Sequence, residues 1–146
     1  MNNSSRLLLS LFYIGDIKIA PGTMGSIFTM TVWYFIPNLL FLQFSIIISV
    51  FILALFLCYN FDKSNNEKDP KYIVIDESVG MMISLLMIPK TLSLYLLCLI
   101  LFRFFDILKP SIINRSENIS NGIGIVADDV LSGALTFIVV FGYINL

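Results

Sequence analysis

The chain has 146 residues, of which 58% are hydrophobic and only 13% are charged, and its formal net charge at pH 7 is -1. With a mean hydropathy of +0.90, this composition indicates a membrane protein. The chain is too apolar to be disordered, and it has no basic tract for binding nucleic acid. Histidine is absent, which excludes Ser-His-Asp and Cys-His nucleophile pairs, histidine-ligated zinc and phosphohistidine chemistry. The two cysteines, Cys58 and Cys98, lie in apolar runs and are expected to pack as small hydrophobic side chains. The length fits a single domain over residues 1–146.

The first twenty residues are predicted to form a short amphipathic helix near a membrane face. Arg6 precedes a short apolar stretch from Leu7 to Ile14. Because the charged residues Asp16 and Lys18 follow without a small-residue cleavage site, a signal peptide is not expected.

Apolar runs predict the helices that follow. They cover Ile27 to Ile36, Leu39 to Phe61, Val79 to Ile88, Leu92 to Phe105 and Val130 to the C-terminus. At roughly 1.5 Å per residue, the run from Leu39 to Phe61 gives about 34 Å, which is enough to cross a hydrocarbon core of about 30 Å. The other runs are shorter, so the sequence predicts one full membrane span.

Two pairs of these runs are predicted to fold back as helical hairpins, because Pro37 and Asn38 interrupt the first pair and Pro89 and Lys90 the second. If both hairpins form, most basic residues lie on one side of the membrane and only Lys90 lies on the other. Because cytoplasmic segments of membrane proteins carry an excess of Lys and Arg, the side with most basic residues is expected to be cytoplasmic. The residues on that side are Arg6, Lys18, Lys63, Lys68, Lys71, Arg103, Lys109 and Arg115. An alternative is one continuous kinked span from Val79 to Phe105, which would separate the charged clusters.

The predicted fold is therefore all-α. It is a compact helical membrane bundle with one full span and short re-entrant or half-spanning helical hairpins.

Five of the ten acidic residues lie beside apolar runs: Asp76, Glu77, Asp106, Asp128 and Asp129. Charge near hydrocarbon is costly, and adjacent carboxylates repel each other unless a cation neutralises them. Hard oxygen ligands suit Mg²⁺. The alternative is that each acidic pair begins a helix, where carboxylates interact favourably with the helix dipole. Two pairs together with Asp106 favour the metal interpretation.

Basic residues recur beside one of these acids. Arg103, Asp106 and Lys109 are spaced at i, i+3 and therefore share one helix face, where the two basic groups would grip a phosphate. The alternatives are ion pairs within the helix or cations that extend to lipid headgroups.

Glycine-containing segments precede two of the predicted helices. The segment Pro21 to Ser26 is either an ordinary turn with a helix cap or an anion-binding helix start. Its candidate anion-binding residues are Gly22, Thr23, Gly25 and Ser26. Gly80 and Gly133 follow the two acidic pairs and would let helices approach closely.

Four motifs occur in a fixed order along the chain. They are Pro-Gly-Thr-Met-Gly-Ser at Pro21 to Ser26, Asp-Glu-x-x-Gly at Asp76 to Gly80, Phe-Arg-x-x-Asp-x-x-Lys-Pro at Phe102 to Pro110, and a glycine-rich stretch ending in two aspartates at Gly122 to Asp129. In this order they resemble the phosphatidylglycerophosphatase A family of bacterial membrane lipid phosphatases. The resemblance covers about Ile19 to Gly133.

The resemblance implies Mg²⁺-dependent removal of the terminal phosphate from phosphatidylglycerophosphate in phospholipid biosynthesis. It also implies a site on the cytoplasmic face of the bacterial inner membrane, with a phospholipid as the partner and no nucleic acid. By position, the metal-binding or catalytic residues would be Asp76, Glu77, Asp128 and Asp129, and the rest of the polar site would be Arg103, Asp106 and Lys109. A water molecule oriented by a carboxylate such as Asp106 and a phosphoaspartate intermediate are both open as routes.

A small ion-coupled membrane transporter or channel subunit is the alternative class. It predicts acidic residues midway along membrane spans, whereas the acids of this chain cluster at the boundaries of the apolar runs. The sequence therefore favours the phosphatase.

Overall fold

The computed structural model describes residues 3–64, 70–109 and 123–146. Within these ranges the chain forms six α-helices and no β-strand, which confirms the all-α prediction. The helices are α1 (Asn3–Leu9), α2 (Pro21–Phe35), α3 (Leu40–Ser64), α4 (Ile75–Ser84), α5 (Leu92–Leu108) and α6 (Ile123–Ile144). Four residues used in the sequence analysis lie outside the described ranges: Lys68, Pro110, Arg115 and Gly122.

Both predicted hairpins are present. Helices α2 and α3 are separated by four residues that include Pro37 and Asn38. In the second hairpin, Cys98 Sγ of α5 lies 3.5 Å from the Ser84 carbonyl oxygen of α4. This contact requires α5 to run back along α4, so a continuous span from Val79 to Phe105 is excluded.

The short helix α4 lies at the centre of the bundle and contacts α2, α3, α5 and α6. Its ten residues reach only about 15 Å, too little to cross a bilayer. One apolar cluster, which includes Val79, packs α4 against α3 and α6, and a second, which includes Met81, packs it against α2 and α5. The surrounding helices therefore separate α4 from lipid and fix the direction of its first turn.

Two helices are long and apolar enough to cross a membrane, α3 over Leu40–Phe61 and α6 over Ile123–Ile144. The sequence predicted only the first. Helix α6 is longer than the apolar run that begins at Val130, because Asp128 and Asp129 continue the helix instead of ending it. Both residues are almost fully buried, at 5% and 4% exposure, so their side chains face the inside of the bundle rather than lipid.

The N-terminal segment holds the start of α4 in place. After α1 the chain makes a 3-10 turn at Ile14–Asp16, and the backbone N–H of Val74 donates a 2.9 Å hydrogen bond to the Leu9 carbonyl. Gly15 packs so closely on the Tyr72 backbone that an added Cβ would overlap the Tyr72 carbonyl oxygen. The segment that leads into Asp76 is therefore held in place by the N-terminal segment, which belongs to neither hairpin.

Candidate functional site

Helix ends from four elements meet at one side of the bundle. Helices α2, α4 and α6 begin on this side, and α5 ends there, because the two hairpins turn on the opposite side. This arrangement brings together acidic and basic residues that are up to 53 positions apart along the chain, from Asp76 to Asp129.

Three of the four predicted metal ligands lie together. Asp76 and Glu77 occupy the first turn of α4, and Asp129 reaches them from α6, so that one carboxylate oxygen of each lies within 4.8 Å of the other two. Asp76 and Asp129 are each only 4% exposed. The fourth predicted ligand, Asp128, is not part of this triad.

Two carboxylate oxygens of the triad have no hydrogen-bond partner in the part of the chain that the structure describes. Among the described residues, Glu77 Oε2 and Asp129 Oδ1 are buried without a hydrogen bond. Burial raises the pKa of Asp76 well above its usual range, and the negative charge of the neighbouring Glu77 raises this pKa further. Burial also raises the pKa of Glu77, although its contact with Asp76 and the charge of Arg103 act in the opposite direction. Buried, mutually repelling oxygen ligands of this kind fit a hard divalent cation.

The two predicted basic residues each lie against an acid. Arg103 Nη1 lies 2.7 Å from Asp106 Oδ2 and 3.9 Å from Glu77 Oε1. Lys109 Nζ donates a 2.8 Å hydrogen bond to Asp128 Oδ2. Arg103 Nε is buried and has no hydrogen-bond partner among the described residues, so the guanidinium retains a donor for a ligand.

Asp106 connects the basic residues to the triad. Its carboxylate lies beside Arg103 in α5 and also within hydrogen-bonding reach of the Asp129 carboxyl group. Because neighbouring carboxylates repel each other, this contact adds to the negative charge that a bound cation would neutralise.

The start of α2 closes one side of the site. A Cβ added to Gly22 would overlap Glu77 Oε1 and lie 3.0 Å from Arg103 Nη1. Gly25 packs against Val74, and the Ser26 hydroxyl donates a 2.8 Å hydrogen bond to the Gly22 carbonyl. Of the predicted anion-binding residues, Gly22 thus faces the charged cluster, while Gly25 and Ser26 contact backbone and apolar neighbours.

One polar contact at the site was not predicted. Thr29 Oγ1 of α2 donates a 2.8 Å hydrogen bond to Ser78 Oγ of α4, and Ser78 in turn donates to the Val74 carbonyl. These bonds tie α2 to the first turn of α4. The only sequence signal was a hydroxyl residue within one apolar run, at Thr29, and another just before the next, at Ser78, which is too common a pattern to identify a site.

A membrane bundle with buried carboxylates and basic side chains where its helix ends meet has the layout of a membrane-embedded enzyme that acts on a charged group. Comparison with known proteins agrees. Residues 7–144 match the family model described as Phosphatidylglycerophosphatase A. The chain belongs to this family and is a phosphoric monoester hydrolase.

Three relatives are similar over most of their length. The chain is 38% identical to the phosphatidylglycerophosphatase A of Haemophilus influenzae over 95% of this chain and 88% of the relative. It is 32% identical to the phosphatidylglycerophosphatase A of Escherichia coli, over 93% of this chain and 81% of the relative. It is also 34% identical to a Bacteroides thetaiotaomicron protein provisionally named phosphatidylinositol-3-phosphatase, over 88% of this chain and 86% of the relative. No solved structure gives a significant match.

Proposed function

We propose that the chain is a Mg²⁺-dependent phosphatase that converts phosphatidylglycerophosphate into phosphatidylglycerol and inorganic phosphate. The observation that carries this proposal is the buried triad of Asp76, Glu77 and Asp129, with Arg103 beside it, inside an apolar bundle. The family and the names of the two phosphatidylglycerophosphatase relatives supply the substrate. The lipid tails stay in the bilayer while the headgroup reaches the helix ends.

The residues present fit Mg²⁺. Asp76, Glu77 and Asp129 would hold it, since they offer oxygen ligands within 4.8 Å of one another and two of them have a buried oxygen without a hydrogen bond among the described residues. When bound, the ion would neutralise phosphate charge and lower the pKa of a bound water. Phosphate-monoester hydrolysis is among the slowest uncatalysed reactions, so charge stabilisation of this kind is needed.

The protein's own groups bind and orient the phosphate. Arg103 Nε has no hydrogen-bond partner among the described residues, and Lys109 supplies a second positive charge at the end of α5. Gly22, in the first turn of α2, lies beside Glu77 and Arg103, and the start of a helix favours an anion.

Asp106 orients the attacking water in this proposal. The water oxygen forms a bond to phosphorus, the bond from phosphorus to the glycerol oxygen breaks, and the glycerol oxygen takes up a proton as inorganic phosphate leaves. A phosphoaspartate route would use a carboxylate of the triad as the nucleophile instead and release phosphate in a second step with water.

We place the site on the cytoplasmic face of the bacterial inner membrane. The support is the excess of basic residues on the side where the helix ends meet, against Lys90 alone in the opposite turns.

Phosphate release by the detergent-purified protein tests the proposal. The substrates are phosphatidylglycerophosphate, phosphatidylinositol 3-phosphate, phosphatidic acid and water-soluble glycerol 3-phosphate, each with Mg²⁺ and with a chelator. We expect Mg²⁺-dependent release that is fastest with phosphatidylglycerophosphate. Faster release from phosphatidylinositol 3-phosphate would instead show that this chain acts on the substrate given in the name of the Bacteroides relative. An unchanged rate of phosphate release in the presence of the chelator would contradict the Mg²⁺ dependence. No release from any substrate by well-folded protein would contradict the proposed phosphatase activity.

A further inference from the structure

The two adjacent aspartates of α6 point in different directions. Neighbouring residues on a helix are about 100° apart around its axis, so both cannot face the same point. Asp129 faces α4 and belongs to the triad with Asp76 and Glu77. Asp128 faces α5, where its Oδ2 accepts the hydrogen bond from Lys109 Nζ at 2.8 Å.

The second oxygen of Asp128 is also used inside the protein. Asp128 Oδ1 accepts a 3.1 Å hydrogen bond from the backbone N–H of Asp129. By contrast, Asp129 Oδ1 is buried and has no hydrogen-bond partner among the described residues. The two carboxylates therefore differ: Asp128 is hydrogen-bonded through both oxygens, whereas Asp129 has one oxygen without a donor among the described residues.

Lys109 is the residue that Asp128 holds. It ends α5 in the left-handed region, with φ 42° and ψ 64°, and its backbone N–H bonds the Phe105 carbonyl. Its side chain remains 25% exposed, whereas that of Asp128 is 8% exposed. A buried carboxylate thus fixes a cation that is still partly exposed.

The five acidic residues of the site fall into two groups, those next to a basic residue and those that form the triad. Asp106 lies 2.7 Å from Arg103, and Asp128 lies 2.8 Å from Lys109. The remaining three, Asp76, Glu77 and Asp129, are the ones whose oxygens lie within 4.8 Å of each other. Each basic residue therefore lies closest to a carboxylate outside the triad, although Arg103 Nη1 is also 3.9 Å from Glu77 Oε1.

We infer that Asp128 is a positioning residue that holds Lys109 toward the substrate phosphate, and that only Asp129 of the adjacent pair is a ligand of the metal. This inference rests on the proposed function for the role of Lys109, while the division between the two aspartates rests on the contacts above.

Binding of Mn²⁺ and steady-state kinetics of four variants test the inference. Asp128→Asn and Asp129→Asn differ only in which neighbouring carboxylate is lost, so each is the matched control of the other. Binding of Mn²⁺, used as a spectroscopic substitute for Mg²⁺, should be retained in Asp128→Asn and lost in Asp129→Asn. In the kinetics, Asp128→Asn and Lys109→Gln should each raise KM for phosphatidylglycerophosphate by roughly tenfold, the scale of one charged hydrogen bond. Asp128→Glu should restore most of the affinity.

The double variant decides whether the two residues act together. If Asp128 acts through Lys109, then Asp128→Asn combined with Lys109→Gln should raise KM no more than either change alone. Fully additive effects would overturn the inference, as would loss of Mn²⁺ binding in Asp128→Asn. Should Asp128→Asn fail to fold, Lys109→Gln still decides, because an unchanged KM in that variant contradicts the role of the lysine. A wild-type protein inactive on every lipid phosphate would instead contradict the proposed function, and the Mn²⁺ comparison would still distinguish the two aspartates.

Discussion

Gly80 of α4 and Gly133 of α6 face each other where the two helices cross, and a Cβ on Gly133 would overlap the Gly80 carbonyl oxygen. A Cβ on Gly80 would in turn lie 2.6 Å from the Asp129 carbonyl oxygen. The crossing is therefore a contact of backbone against backbone, with Asp129 four residues before Gly133. This close approach brings Asp129 to Asp76 and Glu77.

We expect Gly133→Ala to destabilise the protein and to reduce activity, because the obstructing atom is backbone and cannot move aside. Overpacking of a close contact costs about 1–3 kcal/mol. The thermal unfolding midpoint in detergent and the rate of phosphate release measure the two effects. Gly142→Ala is the matched control in the same helix, since nothing lies within 4 Å of its added Cβ. Equal unfolding midpoints and equal rates of phosphate release in the two variants would contradict the close crossing of α4 and α6.

Gly22→Ala should act on activity more than on stability. Its added Cβ meets the ends of the Glu77 and Arg103 side chains, which can shift, rather than backbone. Displacing these charged groups by about 1 Å should lower the rate on the order of 100-fold. The unfolding midpoint should stay close to that of the wild type, and unchanged activity would show that Gly22 does not border the site.

The hairpins were predictable from sequence, but the orientation of each side chain was not. Pro37 and Pro89 mark turns whatever the rest of the fold does. The distinction between Asp128 and Asp129 depends on how α6 is rotated against α4 and α5, and that rotation is set by packing at Gly80 and Gly133. The same applies to the length of α6, because its two acids are compatible with a continuing helix only once they have partners inside the bundle.

Gln43 illustrates a second kind of contact that sequence patterns do not reveal. It lies in the apolar run of α3 and is fully buried. Its Oε1 accepts a 2.9 Å hydrogen bond from the backbone N–H of Met87, and its Nε2 donates to Asn38 Oδ1 at 3.0 Å. Gln43 therefore joins the turns of the two hairpins, and its partners exist only after both hairpins have docked.

We expect Gln43→Leu to lower stability and leave the catalytic rate unchanged. The change leaves the Met87 N–H without its partner, which costs about 1–3 kcal/mol, but these turns lie on the side away from the site. Thermal unfolding in detergent measures the first effect and phosphate release below the unfolding range the second. Ser49→Ala is the control, because Ser49 is exposed on α3 and its hydroxyl donates a 2.7 Å hydrogen bond to the Ser45 carbonyl of its own helix. A normal midpoint for Gln43→Leu would contradict the contact between the turns.

Whether the triad holds a metal is tested most directly by phosphate release from phosphatidylglycerophosphate by wild-type protein and by Asp129→Asn, each titrated with Mg²⁺ from the metal-free state. We predict that the wild type becomes active as Mg²⁺ is added. Asp129→Asn should express, insert and unfold like the wild type but stay inactive at every Mg²⁺ concentration, because the triad loses a charged ligand. Near-normal turnover by Asp129→Asn would contradict the assignment of the metal to Asp76, Glu77 and Asp129.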